Sequence, residues 1–271
     1  MSPTENNIPL EGVRPAAVAG QFYPRDPEEL RRWVKSLLGS ASPGAAPVPK
    51  ALVVPHAGYM FSGPVAASAY ATLAPSRNTI KRVVLLGPSH RVALDGLATV
   101  SVSAFATPLG LVPVDAEGLR QLAALGQVSV NDKAHEREHS LEVQLPFLQT
   151  VLANFALIPL VAWQAESETI SQVLETLWGG PETCVIVSTD LSHYHAPAVA
   201  EQMDKATAAA ILALSPEGIS EGGACGQRPL CGLLETARRR GLRARLLDLR
   251  NSGDTGGPRE QVVGYGAFAF E

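Results

Sequence analysis

Arg82-Val-Val-Leu-Leu-Gly-Pro-Ser-His90 is the stretch on which the fold turns. Val83 to Leu86 are apolar without alternation, so a strand formed there must be buried on both faces, and Pro88 marks its end. Runs of the same kind recur at Ala51–Pro55, Ala156–Leu160, Cys184–Thr189 and Arg245–Leu249. Helix-type segments separate them: Pro64–Leu73, Ala116–Leu125, Leu141–Leu152, Glu168–Trp178, Ala198–Leu212 and Pro229–Arg240. Strands buried on both sides and alternating with helices imply a parallel sheet between two helical layers. Gly96–Val102 and Leu109–Val114, joined by a Thr-Pro turn, and Val262–Phe270 read as extra or edge strands. The expectation is an α/β protein, a single three-layer αβα domain around a mostly parallel sheet with antiparallel edge strands.

Upstream, Asp26, Pro27 and Glu29 read as N-cap, first helical residue and capping-box partner of a helix over 27–38. Leu30, Trp33, Val34 and Leu37 fall on its inner face. A Gly-, Ser-, Ala- and Pro-rich linker over 39–49 is too short to divide domains, so residues 1–271 are expected to form one domain.

Composition narrows the function. With 22 Lys+Arg and 26 Asp+Glu the net charge is −4, which excludes the basic face of a general nucleic-acid or anionic-membrane binder. Hydrophobic residues at 46% supply a large core. The longest uncharged stretch, Ala51–Ser76, contains Pro55, Gly58, Gly63 and Pro64, which break any helix long enough to span a membrane. Met1–Gly20 is polar and lacks an apolar signal segment, and three cysteines make no disulfide framework. A cytoplasmic protein is expected.

The histidines carry the chemistry. His56, His90 and His193 each follow the C-terminal end of a different apolar run, and in open α/β sheets ligands bind at that edge. Together they indicate a shared site, and imidazoles with a nearby acid or thiol suit a transition metal. Cys225 is the best thiolate candidate, because it lies in a Gly-rich loop ahead of a helix whose N-terminus lowers a thiol pKa. Cys184 and Cys231 read as core residues.

His56-Ala-Gly-Tyr, Gly87-Pro-Ser-His90, Glu138-His-Ser-Leu-Glu142, Ser188-Thr-Asp-Leu-Ser-His193 and Cys225-Gly-Gln-Arg-Pro229 resemble the successive motifs of the Memo family. Its prokaryotic members are also called AmmeMemoRadiSam system protein B. Ala19-Gly-Gln-Phe-Tyr23 and Val262-Val-Gly-Tyr265 fit the same pattern. The resemblance implies a LigB/Memo-like fold, distantly similar to class III extradiol non-heme iron dioxygenases. It also implies that His56, His90 and Cys225 are metal ligands, thiolate replacing the dioxygenase carboxylate. Asp190, His193 and His139 match further pocket residues, with His193 as acid/base and Asp190 fixing a tautomer. The cofactor expected is a divalent transition metal, iron(II) ahead of copper or zinc.

The function expected is that of a metal-binding, dioxygenase-like protein acting on a small molecule. The alternatives are a peptide- or protein-binding module using the same crevice without turnover, and a zinc-dependent hydrolase. Phe22, Tyr23, Tyr59 and His195 are candidate pocket residues, the aromatic three serving equally well as ordinary packing. His135, in the polar run Asn131–His139, is expected to be a solvated loop residue. Arg238–Arg240 reads as dipole-complementing charge at a helix end, and Ser89 and Ser192 lack the Gly-x-Ser-x-Gly turn of a hydrolase nucleophile.

Overall fold

The computed structural model describes residues 10–42 and 47–271. The first nine residues of the polar N-terminal stretch, and 43–46 of the expected linker, lie outside the described residues. Four parallel strands form the centre, adjacent in the order Ala51–Val54, Thr183–Ser188, Arg82–Pro88 and Ala156–Ala162. The register sets Val84 between Val185 and Ile158, and Val83 through Pro88 are all buried. Branched side chains on both faces must therefore be covered. Helices Pro27–Ser40, Tyr59–Tyr70 and Leu145–Val151 pack together on one side, Ser167–Leu177 and Gln227–Arg239 on the other. The result is a three-layer αβα arrangement. Asp26 caps the first helix, accepting from the Glu28 and Glu29 N–H groups, and Leu30 and Val34 are its fully buried residues.

Several elements differ from the sequence reading. Val262–Phe270 is not an edge: it lies antiparallel between Ala51–Val54 and Ala244–Asn251. Ala244–Asn251 is the outer strand, only partly buried, and its Arg245 and Arg250 reach ion-pair partners Glu271 and Asp248. The Thr107-Pro108 turn joins Ala104–Thr107, not Gly96–Val102, to Gly110–Pro113, in a small sheet completed by Val13–Arg14. Leu97–Thr99 instead joins the main sheet beside Ala156–Ala162. The chain breaks between these strands where the Asp132 carboxylate takes both the N–H and the hydroxyl of Ser101. Tyr59–Tyr70 begins before Pro64 and ends in a 3-10 turn, Ala71–Ser76, and Leu141–Leu152 divides into a 3-10 turn, Glu142–Gln144, and a helix, Leu145–Val151. No helix among the described residues is long and apolar enough to cross a membrane.

Because the central strands share one direction, the loops after Val54, Pro88 and Ser188 open along one edge of the sheet. Three motifs distant in sequence meet there.

Candidate metal centre

His56, His90 and His139 converge at this edge, one ring nitrogen of each lying within 4.8 Å of those of the other two. The His90 and His139 rings stack at 4.7 Å, and His56 stands nearly perpendicular to both, at 5.1 and 5.3 Å. Two glycines let the loops close. A Cβ on Gly87 would lie 2.7 Å from Ser140 Oγ, and one on Gly226 would lie 2.9 Å from the Ser188 carbonyl.

Each ring is held by its other nitrogen or by its backbone. The His90 N–H and Nδ1 reach the two oxygens of Glu138 at 2.6 and 2.9 Å. Burial pushes the Glu138 carboxyl up, but the His90 imidazole and the N–H groups of Ser140 and His90 outweigh it and hold it down to about 2. An ionised carboxylate only accepts, so the His90 Nδ1 faces Glu138 as a donor and Nε2 is the nitrogen turned away from that contact. Glu138 Oε1 also lies 3.4 Å from His139 Nδ1. The His193 Nδ1 donates to the Leu191 carbonyl at 2.8 Å, so Nε2 is the ring nitrogen not engaged there. His56 Nδ1 lies 2.9 Å from Ser188 Oγ. Asp190 takes the His56 backbone N–H at 2.7 Å rather than an imidazole, so it positions the loop and fixes no tautomer there.

Burial, reinforced by the neighbouring imidazoles, pushes His56 down to about 3 and His139 to about 4. Both are neutral at pH 7, the form in which imidazole ligates metal. Burial raises the Asp190 carboxyl above its ordinary value.

Cys225 Sγ lies 3.2 Å from His56 Nε2 and accepts from the Asp190 N–H at 3.2 Å. It stands beside the three-histidine cluster rather than within it. The lowering expected of a thiol ahead of a helix is reversed, because burial, with Asp190 nearby, pushes it up to about 12.

The cluster opens into a cavity of about 610 Å³. Its lining combines the polar His56, His90, His139, His193 and Asp190 with the apolar and aromatic Phe22, Phe61, Val263 and Tyr265, the Phe22 ring lying 4.7 Å from that of His139. Tyr194, at φ 59° and 69% exposed, stands at its mouth. Tyr23 and Tyr59 serve as packing: their hydroxyls donate to Glu142 Oε1 and to the Val143 carbonyl, each at 2.6 Å, and both rings are buried. His195 pairs with Val262 in the sheet, outside the cavity lining.

His135 is buried, not solvated. The short helix Asp132–Glu136 turns it inward, where Nε2 donates to the Ala98 carbonyl at 3.0 Å and Nδ1 has no partner. Polarity along the run describes its chain neighbours and not Arg14, which bonds the His135 carbonyl, or Phe105, whose ring meets the imidazole edge-on at 6.3 Å. Burial pushes His135 down to about 4 from the ordinary 6.5. An unfolded chain therefore binds this proton first, and stability falls as pH drops from 6.5 towards 4, by about 3 kcal/mol in all. Urea unfolding of wild type and His135→Gln across that window should show a flatter profile for the variant. Parallel profiles would contradict the assignment.

Sequence reading missed Arg14 and Glu142, a buried pair 2.6 Å apart, and gave Glu138 no role although it adjoins His139. Glu138→Gln removes the charge that orients His90, and should weaken zinc binding about 10–100-fold in chelator competition. Unchanged affinity would show that the carboxylate does not act through His90.

A family model described as Memo-like protein matches residues 14–269, which include every site residue named above. A MEMO1 family protein of Methanopyrus kandleri is 38% identical over 280 residues, spanning 95% of this chain and 98% of its own length. Similar proteins, also described as MEMO1 family, occur in Ignicoccus hospitalis, at 37% identity over 95% of this chain and 98% of the relative, and in Aquifex aeolicus, at 34% over 95% and 99%.

Proposed function

The chain belongs to the Memo-like protein family, and from that premise we propose that it is an iron(II)-dependent, dioxygenase-like oxidoreductase acting on a small molecule at the histidine crevice. The observation that carries this reading is the convergence of three imidazole nitrogens on a cavity of small-molecule size. The donors fit a divalent transition metal: His56 and His139 are neutral at pH 7, and Glu138 engages the Nδ1 of His90, leaving Nε2 as its ligating atom.

His56 and His90 anchor the ion. His139 is the third donor within the cluster, and Cys225, 3.2 Å from His56 Nε2, is the competing one. When bound, iron(II) supplies Lewis acidity and one-electron chemistry towards dioxygen. The rest falls to the chain. His193, its Nδ1 tied to Leu191, presents Nε2 to the cavity to take a proton from a substrate hydroxyl. Asp190 holds the His56 loop, and the lining of Phe22, Phe61, Val263 and Tyr265 excludes water. Three free cysteines suit a reducing, cytoplasmic setting.

Oxygen uptake by anaerobically iron-loaded protein, screened with catechols and related ring compounds, tests the proposal. Uptake that requires iron and is lost in His193→Ala with iron retained is the expected result. No uptake from a full iron site across the screen would contradict the oxidative reading.

A further inference from the structure

Beneath His56 lies a chain of buried polar groups to which the proposed function assigns nothing. Ser188, Gln144, Tyr70 and Ser140 are each at most 1% exposed. Tyr70 Oη donates to Gln144 Oε1 at 2.8 Å. Gln144 Nε2 donates to the Pro55 carbonyl at 2.9 Å and to Ser188 Oγ at 2.8 Å. Ser188 Oγ in turn donates to the Ser140 carbonyl at 2.6 Å and lies 2.9 Å from His56 Nδ1.

The proton count has one solution. The Pro55 carbonyl only accepts, so the Gln144 amide must present nitrogen to it and to Ser188, and oxygen to Tyr70. Ser188 has a single hydroxyl proton, and the Ser140 carbonyl, another pure acceptor, takes it. The Ser188 oxygen is left with two lone pairs, one filled by Gln144. The other can only be filled by a proton on His56 Nδ1. The geometry points to Ser188, oriented by Gln144 and Tyr70, as the positioning residue that locks His56 in its Nδ1–H tautomer and so leaves Nε2 an acceptor, facing the Cys225 Sγ and the metal-binding cluster. The consequence for metal rests on the function proposed above, whereas the tautomer does not.

The test reads both. Long-range ¹H–¹⁵N NMR of the metal-free protein, with His56 assigned by loss of its signals in His56→Gln, reports the tautomer directly. Zinc affinity is measured by competition with a chromophoric chelator. Wild type should show Nδ1–H. Ser188→Ala should mix the tautomers and weaken zinc about 10–100-fold. Tyr70→Phe, which removes only the far end of the chain, should move both readouts the same way by less, and it keeps the test in force should Ser188→Ala not fold. A wild-type His56 protonated on Nε2, or a folded Ser188→Ala with tautomer and affinity unchanged, overturns the inference. A wild type that binds no zinc yet shows Nδ1–H, mixed in Ser188→Ala, defeats the metal reading and leaves the lock standing.

Discussion

Glu142→Ala is expected to destabilise the protein by about 3–5 kcal/mol, the usual cost of breaking a buried ion pair by removing one partner. Its carboxylate is fully buried and accepts from Arg14 Nη1, the Ala17 and Val18 N–H groups and the Tyr23 hydroxyl, all at 2.6–2.9 Å. Without it the guanidinium and three further donors lose an acceptor, Arg14 and Tyr23 in buried positions. Arg14 also donates to the carbonyls of His135 and Glu138, both at 2.7 Å, so it pins the loop that presents Glu138 and His139. The same variant should therefore weaken metal binding although it touches no donor. Urea unfolding checks the first effect, and chelator competition on the folded fraction the second. The double variant Arg14→Met/Glu142→Leu should recover part of the stability, since no charge is then left buried alone. A loss below about 1 kcal/mol in Glu142→Ala would show that the pair does not hold this loop.

His56→Ala combined with His90→Ala should raise the metal dissociation constant at least about a thousand-fold, some 4 kcal/mol, because two of the proposed donors are gone. Far-UV circular dichroism should stay that of wild type, since both rings sit in loops beyond the strand ends. Single His139→Ala and Cys225→Ala variants then rank the third donor by which costs more affinity. Metal binding unchanged in the double variant would place the ion elsewhere.

The sheet was legible because its strands are short apolar runs between helices, and the site because His56, His90 and His193 each follow such a run at once. What stayed hidden depends on contacts between distant segments. Arg14 and Glu142 are 128 residues apart, and neither carries a local sign of pairing. Ser188 reads as one residue inside the run Cys184–Thr189, and only the fold brings the Gln144 amide and the Ser140 carbonyl to it. Tyr23 and Tyr59 sit in motifs beside site residues, yet their hydroxyls find buried acceptors and their rings turn into the core. Val262–Phe270 reads as an extra or edge strand, and its place between two strands follows from neither local propensity nor pattern.

X-ray absorption at the iron edge of anaerobically purified, iron-loaded protein, with iron content determined on the same sample, reads the ligands of the ion themselves. One ion per chain is expected, with imidazole nitrogen in its coordination sphere, at least two rings, and a sulfur signal present or absent according to whether Cys225 or His139 is the third donor. A folded protein that takes up no iron, copper or zinc under any loading, or an ion without imidazole scattering, would contradict that expectation.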